Sequence, residues 1–353
     1  MVGTFICFFI PLLLLAFSHI SSRTKKPSKI IYICVCTYIL VFSWSLIKRS
    51  GDYVHYQVSF DNINSWQDYL LGTALKGYEF EPGYVLLNLF LKNFITIDPY
   101  YAIGIITSIT GIGYLYYFRK YSNYVYLAIV VYIAHFYWWS GIVLLRQMCA
   151  TLILFPLLDL MIRHKYFKSV CLIIIASCFH SSSVIFLPFL FLYKKNFFKI
   201  KYVVSYIVIS FICGFLDILK IFFSICASII PRGDVFFARY LENEGKSLNV
   251  LSLVEMLFIL YISIKYRNKL IRSNQYFKIA IDLLVFSTIL SLCLMKYEIG
   301  MRLTLFFNLY SYIILLPTLI AIFKPNAENR IGYILILGSY MSLFLIRFVY
   351  ITI

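Results

Sequence analysis

Charge is what this chain has least of. Asp, Glu, Lys and Arg make up 13% of its 353 residues, against roughly a quarter in soluble globular domains. Acidic residues are the scarcer kind, 15 against 32 basic ones. The nine cysteines all lie in or beside apolar runs. Cys34-Val-Cys36 is their only close pair and no C-x-x-C occurs, which excludes a disulfide framework and a thiolate metal site. They read as small buried hydrophobes. No H-E-x-x-H, D-x-D, nucleophile elbow, Walker loop or G-x-G-x-x-G is present, which argues against nucleotide and metal enzymes of the soluble type. There is no repeat of fixed period and no low-complexity tract. A basic leader and a small-residue cleavage site are also missing at the start, so residues 2–20 read as a retained first span.

Hydrophobic residues are what remain, 62% of the chain, with a mean hydropathy of +0.85. They fall in repeated runs long enough to cross a bilayer, where about 20 apolar residues are needed. The chain is therefore expected to be a polytopic membrane protein. The net charge of +17 does not point to nucleic acid, because the basic residues sit in short clusters between apolar runs, as cytoplasmic loops do. Membrane lipids are the surroundings this composition fits.

Residues 2–20 and 30–47 form the first spans, joined by a linker with Arg23, Lys25, Lys26 and Lys29 that the positive-inside rule places in the cytoplasm. The long polar interval 48–82 then lies outside. Residues 83–97 are short and interrupted by Asn88, Lys92 and Asn93, an interfacial or re-entrant helix rather than a span. Spans follow at 99–118, 123–140 (closed by the interfacial rings Tyr137, Trp138 and Trp139) and 142–162. Residues 169–193 have basic clusters at both ends. Two short helices folded as a hairpin about His180 would satisfy both clusters; one complete span is the alternative. Residues 202–216, continued by 217–230, lead to a second outer loop, 231–249. Spans 250–264, 279–295, 303–323 and 331–352 complete the chain, with a tight outer turn at 296–302. The expectation is an all-α single membrane domain, residues 1–353, with about ten spans plus the hairpin.

Several arginines fall at the outer ends of spans: Arg49, Arg146, Arg232, Arg239 and Arg302. An arginine at membrane depth costs on the order of 3 kcal/mol and normally faces a cavity and a partner. Guanidinium is the natural fork for phosphate oxygens, so arginines converging at one face suggest a pyrophosphate site. Structural pairing with Asp52, Glu81, Asp234 or Glu298 is the competing explanation. His180, set in an apolar run, is a proton acceptor, a phosphate partner or a satisfied turn residue. Asp52 and Glu81 are candidate bases for deprotonating a sugar hydroxyl.

Arg49-Ser-Gly-Asp52-Tyr53-x-x-Tyr56, Glu81-Pro82-Gly83-Tyr84, Leu145-Arg146-Gln147 and Phe179-His180-Ser-Ser182 together resemble the EpsG family of bacterial polysaccharide polymerases, relatives of the Wzy-type O-antigen polymerases. Arg239-Tyr240 and Arg302 with Phe306-Phe307 fit less specifically. The resemblance implies an inverting, metal-independent glycosyltransferase of GT-C-like architecture, without cofactor, in the bacterial cytoplasmic (inner) membrane. It would move a growing glycan from one undecaprenyl-pyrophosphate carrier onto another lipid-linked repeat unit at the periplasmic or outer face, with a chain-length regulator as a partner. Arg49, Arg146, Arg239 and Arg302 would bind pyrophosphate. Asp52, Glu81 and His180 would supply base and positioning roles, and Tyr53, Tyr84 and Gln147 would contact sugar. Tyr56, Trp138 and Trp139 also offer flat faces, though an interfacial anchor explains any one aromatic equally well. A lipid-linked oligosaccharide flippase would spread charge through the bilayer, an O-antigen ligase would carry a longer arginine-rich outer loop, and for a membrane acyltransferase only His180 speaks.

Overall fold

A computed structural model describes residues 15–16, 28–63, 65–70, 80–137, 139–218, 220–221 and 250–322. The expected first and last spans and the loop 231–249, with Arg232, Asp234 and Arg239, lie outside these. Among the described residues the regular structure is helical. Helices are numbered here in order along that part of the chain: α1 Lys29–Leu46, α2 Tyr53–Asn62, α3 Trp66–Leu70, α4 Pro82–Phe94, α5 Pro99–Tyr121, α6 Val125–His135, α7 Leu145–Leu154, α8 Leu157–Ile162, α9 Tyr166–Ser177, α10 Phe186–Lys194, α11 Val203–Phe215, α12 Val250–Lys265, α13 Arg267–Ser273, α14 Phe277–Cys293 and α15 Glu298–Ile322. Among the described residues four stretches are long and apolar enough to cross a membrane, Lys29–Arg49, Pro99–Tyr121, Leu145–Ile162 and Arg302–Ala321. Shorter apolar helices cover Val125–His135, Tyr166–Ser177, Ser181–Lys194 and Ile200–Phe215. The chain is thus an all-helical, multi-pass membrane protein. It divides into two compact units, residues 1–186 with 316–353, and residues 187–315.

In the first unit α1 and α5 run antiparallel. Tyr32 near the start of α1 donates to the Leu115 carbonyl at 2.5 Å, while Trp44 near its end donates to Ser108 at 2.8 Å. α7 and α8 run parallel to α5. Gly113 leaves room for Leu152, whose side chain would lie 2.3 Å from any Cβ added there, and Lys120 and Tyr121 meet Asp159 at the far end. Counting back from Leu152 at the 1.5 Å helical rise puts Arg146 on the order of 10 Å below the start of α5.

Several expected segments differ. Part of the interval 48–82 is helical: Tyr53, Tyr56, Phe60 and Ile63 recur every three or four residues along α2 and its end, with Tyr56, Phe60 and Ile63 buried, while residues 64 and 71–79 lie outside the described residues. The span expected over 123–140 stops at His135. It gives way to a wide turn over Trp139–Val143, and Tyr137, instead of anchoring an interface, is buried and bonded to Ser43 at 2.7 Å. The expected outer turn at 296–302 is mostly the first turn of α15, which begins at Glu298. Segment 169–193 is interrupted at the residues where a hairpin turn was expected, α9 ending before Cys178–His180 and a 3₁₀ turn resuming at Ser181.

In the second unit α11 packs closely on α14, where a Cβ on Gly214 would come within 2.0 Å of the Leu292 carbonyl oxygen. Phe189, Phe286 and Phe307 pack with tilted and edge-to-face rings at 5.0–5.9 Å between ring centres, and Ser287 donates to Asn308 at 2.7 Å. Of the expected continuation beyond 216, residues 219 and 222–230 lie outside the described residues, and α11 is interrupted at Asp217. Its φ of 56° breaks the helix, and its carboxylate accepts from Tyr297 at 2.7 Å.

Candidate active site

Four helix ends in the first unit meet around one carboxylate. Glu81 is the residue before α4, with Pro82 at the first helical position, where a fixed φ and a missing N–H cost nothing. Its side chain does not cap its own helix. It crosses instead to two other elements. Oε2 accepts from the Arg146 guanidinium at 2.6 Å. Oε1 accepts from the Ser181 backbone N–H at 2.9 Å and the Ser181 hydroxyl at 3.2 Å, and lies 3.3 Å from His180 Nδ1.

Two joints hold these groups together. At the first, the Gly83 N–H, unsatisfied within α4, donates to the Cys178 carbonyl at the end of α9 at 2.7 Å. Orphan groups of two helix termini satisfy each other, and opposite ends of two helix dipoles face. Only glycine permits this approach, since an added Cβ would stand 2.7 Å from that same carbonyl oxygen. The second joint is Tyr56, which is 5% exposed. Its hydroxyl donates to the Val143 carbonyl at 3.3 Å and accepts from the Leu145 N–H at 3.1 Å. It thereby ties down the unwound backbone just before Arg146. Phe80 finishes the enclosure, its ring centre 4.3 Å from the Arg146 guanidinium carbon, a cation–π contact.

The side chains of Arg146, Glu81 and His180 keep 23%, 12% and 20% of their exposure. They are shielded enough to strengthen the ion pair yet open enough for a substrate to reach. Burial pushes the Glu81 carboxyl up, but the His180 hydrogen bond, the Arg146 charge and the Ser181 N–H together outweigh it and hold the group at about 2. Glu81 is thus an anion throughout the physiological range and, while so held, a weak base.

Of the residues singled out from sequence, Glu81, Arg146 and His180 are brought together here. Gln147 follows Arg146 and is buried. Tyr84 is fully buried between Tyr56 and Phe80, 5.8 and 5.7 Å away by ring centre, so a sugar does not reach its face in this state; the same holds for Tyr56. Asp52 and Tyr53 begin α2 and are part-exposed, while Arg49 is exposed beside them in the turn that ends α1. Lys48, its neighbour, lies over the Tyr100 ring at the start of α5, so the structure places Arg49 nearer the N-terminal end of α5 than Arg146. Arg302 is exposed on α15 in the second unit. Arg239 and Trp138 are outside the described residues, and nothing is described of the Trp139 side chain. Ser181, Phe80 and the Gly83–Cys178 joint were not singled out; the Pro82-Gly83 pair was the one local sign that a backbone needed to come close there. Among the described residues no group of three or more His, Cys, Asp or Glu is placed to hold a metal ion.

No curated protein and no solved structure matches the chain. A family model, that of the EpsG family, matches residues 29–353.

Proposed function

Because the chain belongs to the EpsG family, the family of Wzy-type polysaccharide polymerase-like proteins, we propose that it polymerises lipid-linked glycan repeat units and that the Arg146–Glu81–His180 junction is its reaction centre. In this reading a growing glycan passes from one undecaprenyl-pyrophosphate carrier to a hydroxyl of a second lipid-linked unit, at the outer face of the bacterial cytoplasmic membrane. The hydroxyl oxygen forms the new bond to the anomeric carbon as the bond from that carbon to the pyrophosphate breaks. Direct displacement inverts the configuration. The carrier leaves as pyrophosphate, and the hydroxyl proton must go to a base.

The observation that supports this most is a guanidinium recessed among membrane helices, held by a part-buried anion and an aromatic face. Such a group is preorganised to take up the charge that develops on the leaving group, a role that a divalent metal has in many sugar-nucleotide transferases. Glu81 is a poor base while it is held at about 2, so the proton is assigned to His180, whose ring nitrogen lies 3.3 Å from it in the same junction. A proton taken by His180 would also add positive charge beside the departing pyrophosphate. Arg49, Arg239 and Arg302 stay candidates for further phosphate contacts, and Asp52 and Tyr53 for the acceptor sugar.

Deleting the gene in its host and separating surface glycans on a gel tests the reading. Acceptors capped with a single repeat unit are expected. Ladders of normal length, or loss of all glycan, would overturn it.

A further inference from the structure

The groups around Glu81 form a set whose chemistry does not depend on Glu81 being there. Arg146 brings a guanidinium. Ser181, the first residue of the helical stretch Ser181–Lys194, brings a backbone N–H and a hydroxyl. His180 brings a ring nitrogen on the same side. A helix-start N–H, a hydroxyl and a guanidinium converging on one oxygen pair is a set of donors for an oxyanion. In this structure that oxyanion is a carboxylate of the chain itself. Glu81 also forgoes the usual use of its position, because its side chain makes no capping bond to α4. Rotation about its own side-chain torsions would withdraw it while the Gly83–Cys178 joint and the Tyr56 tie keep the donors in place.

We propose that Glu81 is a tethered occupant of an anion site, and that a phosphate group of the lipid-linked donor displaces it from Arg146 and Ser181 to bind there. This rests on the reading that Arg146 receives pyrophosphate, and adds to it that Ser181 supplies the other half of the site and that Glu81 competes for it. In the resting protein Glu81 balances the charge of a guanidinium set among membrane helices. A substrate phosphate, which carries more charge and more acceptor oxygens than a carboxylate, exchanges for it. The exchange also discriminates, since a neutral lipid brings nothing to replace Glu81.

The test titrates inorganic pyrophosphate into the full-length protein in detergent micelles at fixed low ionic strength, with binding read by calorimetry. Glu81→Gln is expected to bind at least about tenfold more tightly than the parent, because an amide competes poorly for a guanidinium. Glu81→Asp, which keeps the charge but shortens its reach, is expected to bind more tightly as well, and it covers the case in which the amide variant fails to fold. Adding Arg146→Ala or Ser181→Ala to Glu81→Gln is expected to remove most of the gain. Binding by Glu81→Gln and Glu81→Asp that is equal to or weaker than that of the parent, or undetectable in all three, overturns the proposal; weaker binding is what a clamp that merely orients Arg146 would show. The glycan gel of the deletion strain decides the polymerase reading independently of this titration.

Discussion

Replacing Gly83 with alanine puts the site's assembly to a severe test with one methyl group. The new Cβ would stand 2.7 Å from the Cys178 carbonyl oxygen, 3.0 Å from its carbon and 3.1 Å from its Cβ. Two of these are backbone atoms and cannot swing aside. Relief requires the start of α4 to move away from the end of α9, which stretches the 2.7 Å bond between them. Overpacking of this kind costs about 1–3 kcal/mol, and the weakened hydrogen bond adds about 1 kcal/mol. Alanine's better helix propensity offsets at most about 1 kcal/mol, so a net loss of about 1–3 kcal/mol is expected. The larger effect is on activity. Glu81 and Ser181 sit on either side of this joint, and a displacement on the order of 1 Å in such a constellation costs about a hundredfold in rate. The assay is complementation of the deletion strain, scoring the glycan ladder against the amount of protein in the membrane. Gly51→Ala is the control, as nothing lies within 4 Å of its added Cβ. A Gly83→Ala protein that restores a normal ladder at normal abundance would refute the argument that this contact holds the site together.

Other outcomes follow from the same geometry. Tyr56→Phe leaves the Val143 carbonyl and the Leu145 N–H without their shared partner, costing about 1–3 kcal/mol; thermal unfolding in detergent should show the drop, with a shorter glycan ladder in cells. Arg146→Lys should be as inactive as Arg146→Ala, since an ammonium cannot grip phosphate as a planar fork does; a normal ladder from the lysine variant would remove that role. Glu81, lowered from 4.5 to about 2, contributes at most about 3 kcal/mol. That contribution is complete above about pH 4.5 and is lost as pH falls toward 2, so the stability gap between the parent and Glu81→Gln should close over that window, and a constant gap would contradict the pairing. Polymerisation in isolated membranes should persist in EDTA if arginine charge serves where a metal could; abolition reversed by added magnesium would overturn that expectation.

Much of the fold was legible in the sequence. Membrane character followed from hydropathy, and the short helix Pro82–Phe94 was evident from its interruptions at Asn88, Lys92 and Asn93. The break at His180 was foreshadowed by basic clusters at both ends of a single apolar run. The helix within the interval 48–82 was not anticipated, because an overall polar composition hid the three-to-four spacing of Tyr53, Tyr56, Phe60 and Ile63. The reach of the span expected at 123–140 was misjudged for a related reason. Aromatic residues look alike in sequence whether they sit at an interface or, like Tyr137, are bonded deep inside.

The sequence by itself determined that this chain crosses membranes many times, that its charges gather between apolar runs, and that Arg146, Glu81 and His180 are chemically capable residues. It does so because hydropathy and charge act locally, and the bilayer reads them locally. Only the tertiary structure decided that Arg146 and Ser181, 65 and 100 positions from Glu81, meet at its carboxylate with His180 beside them, because that depends on a glycine letting α4 touch the end of α9. The same packing turned Tyr56 from a candidate sugar platform into the tie that holds Arg146 in place. Long-range contact of this kind is fixed by which backbones can approach each other, and no window of neighbouring residues records it.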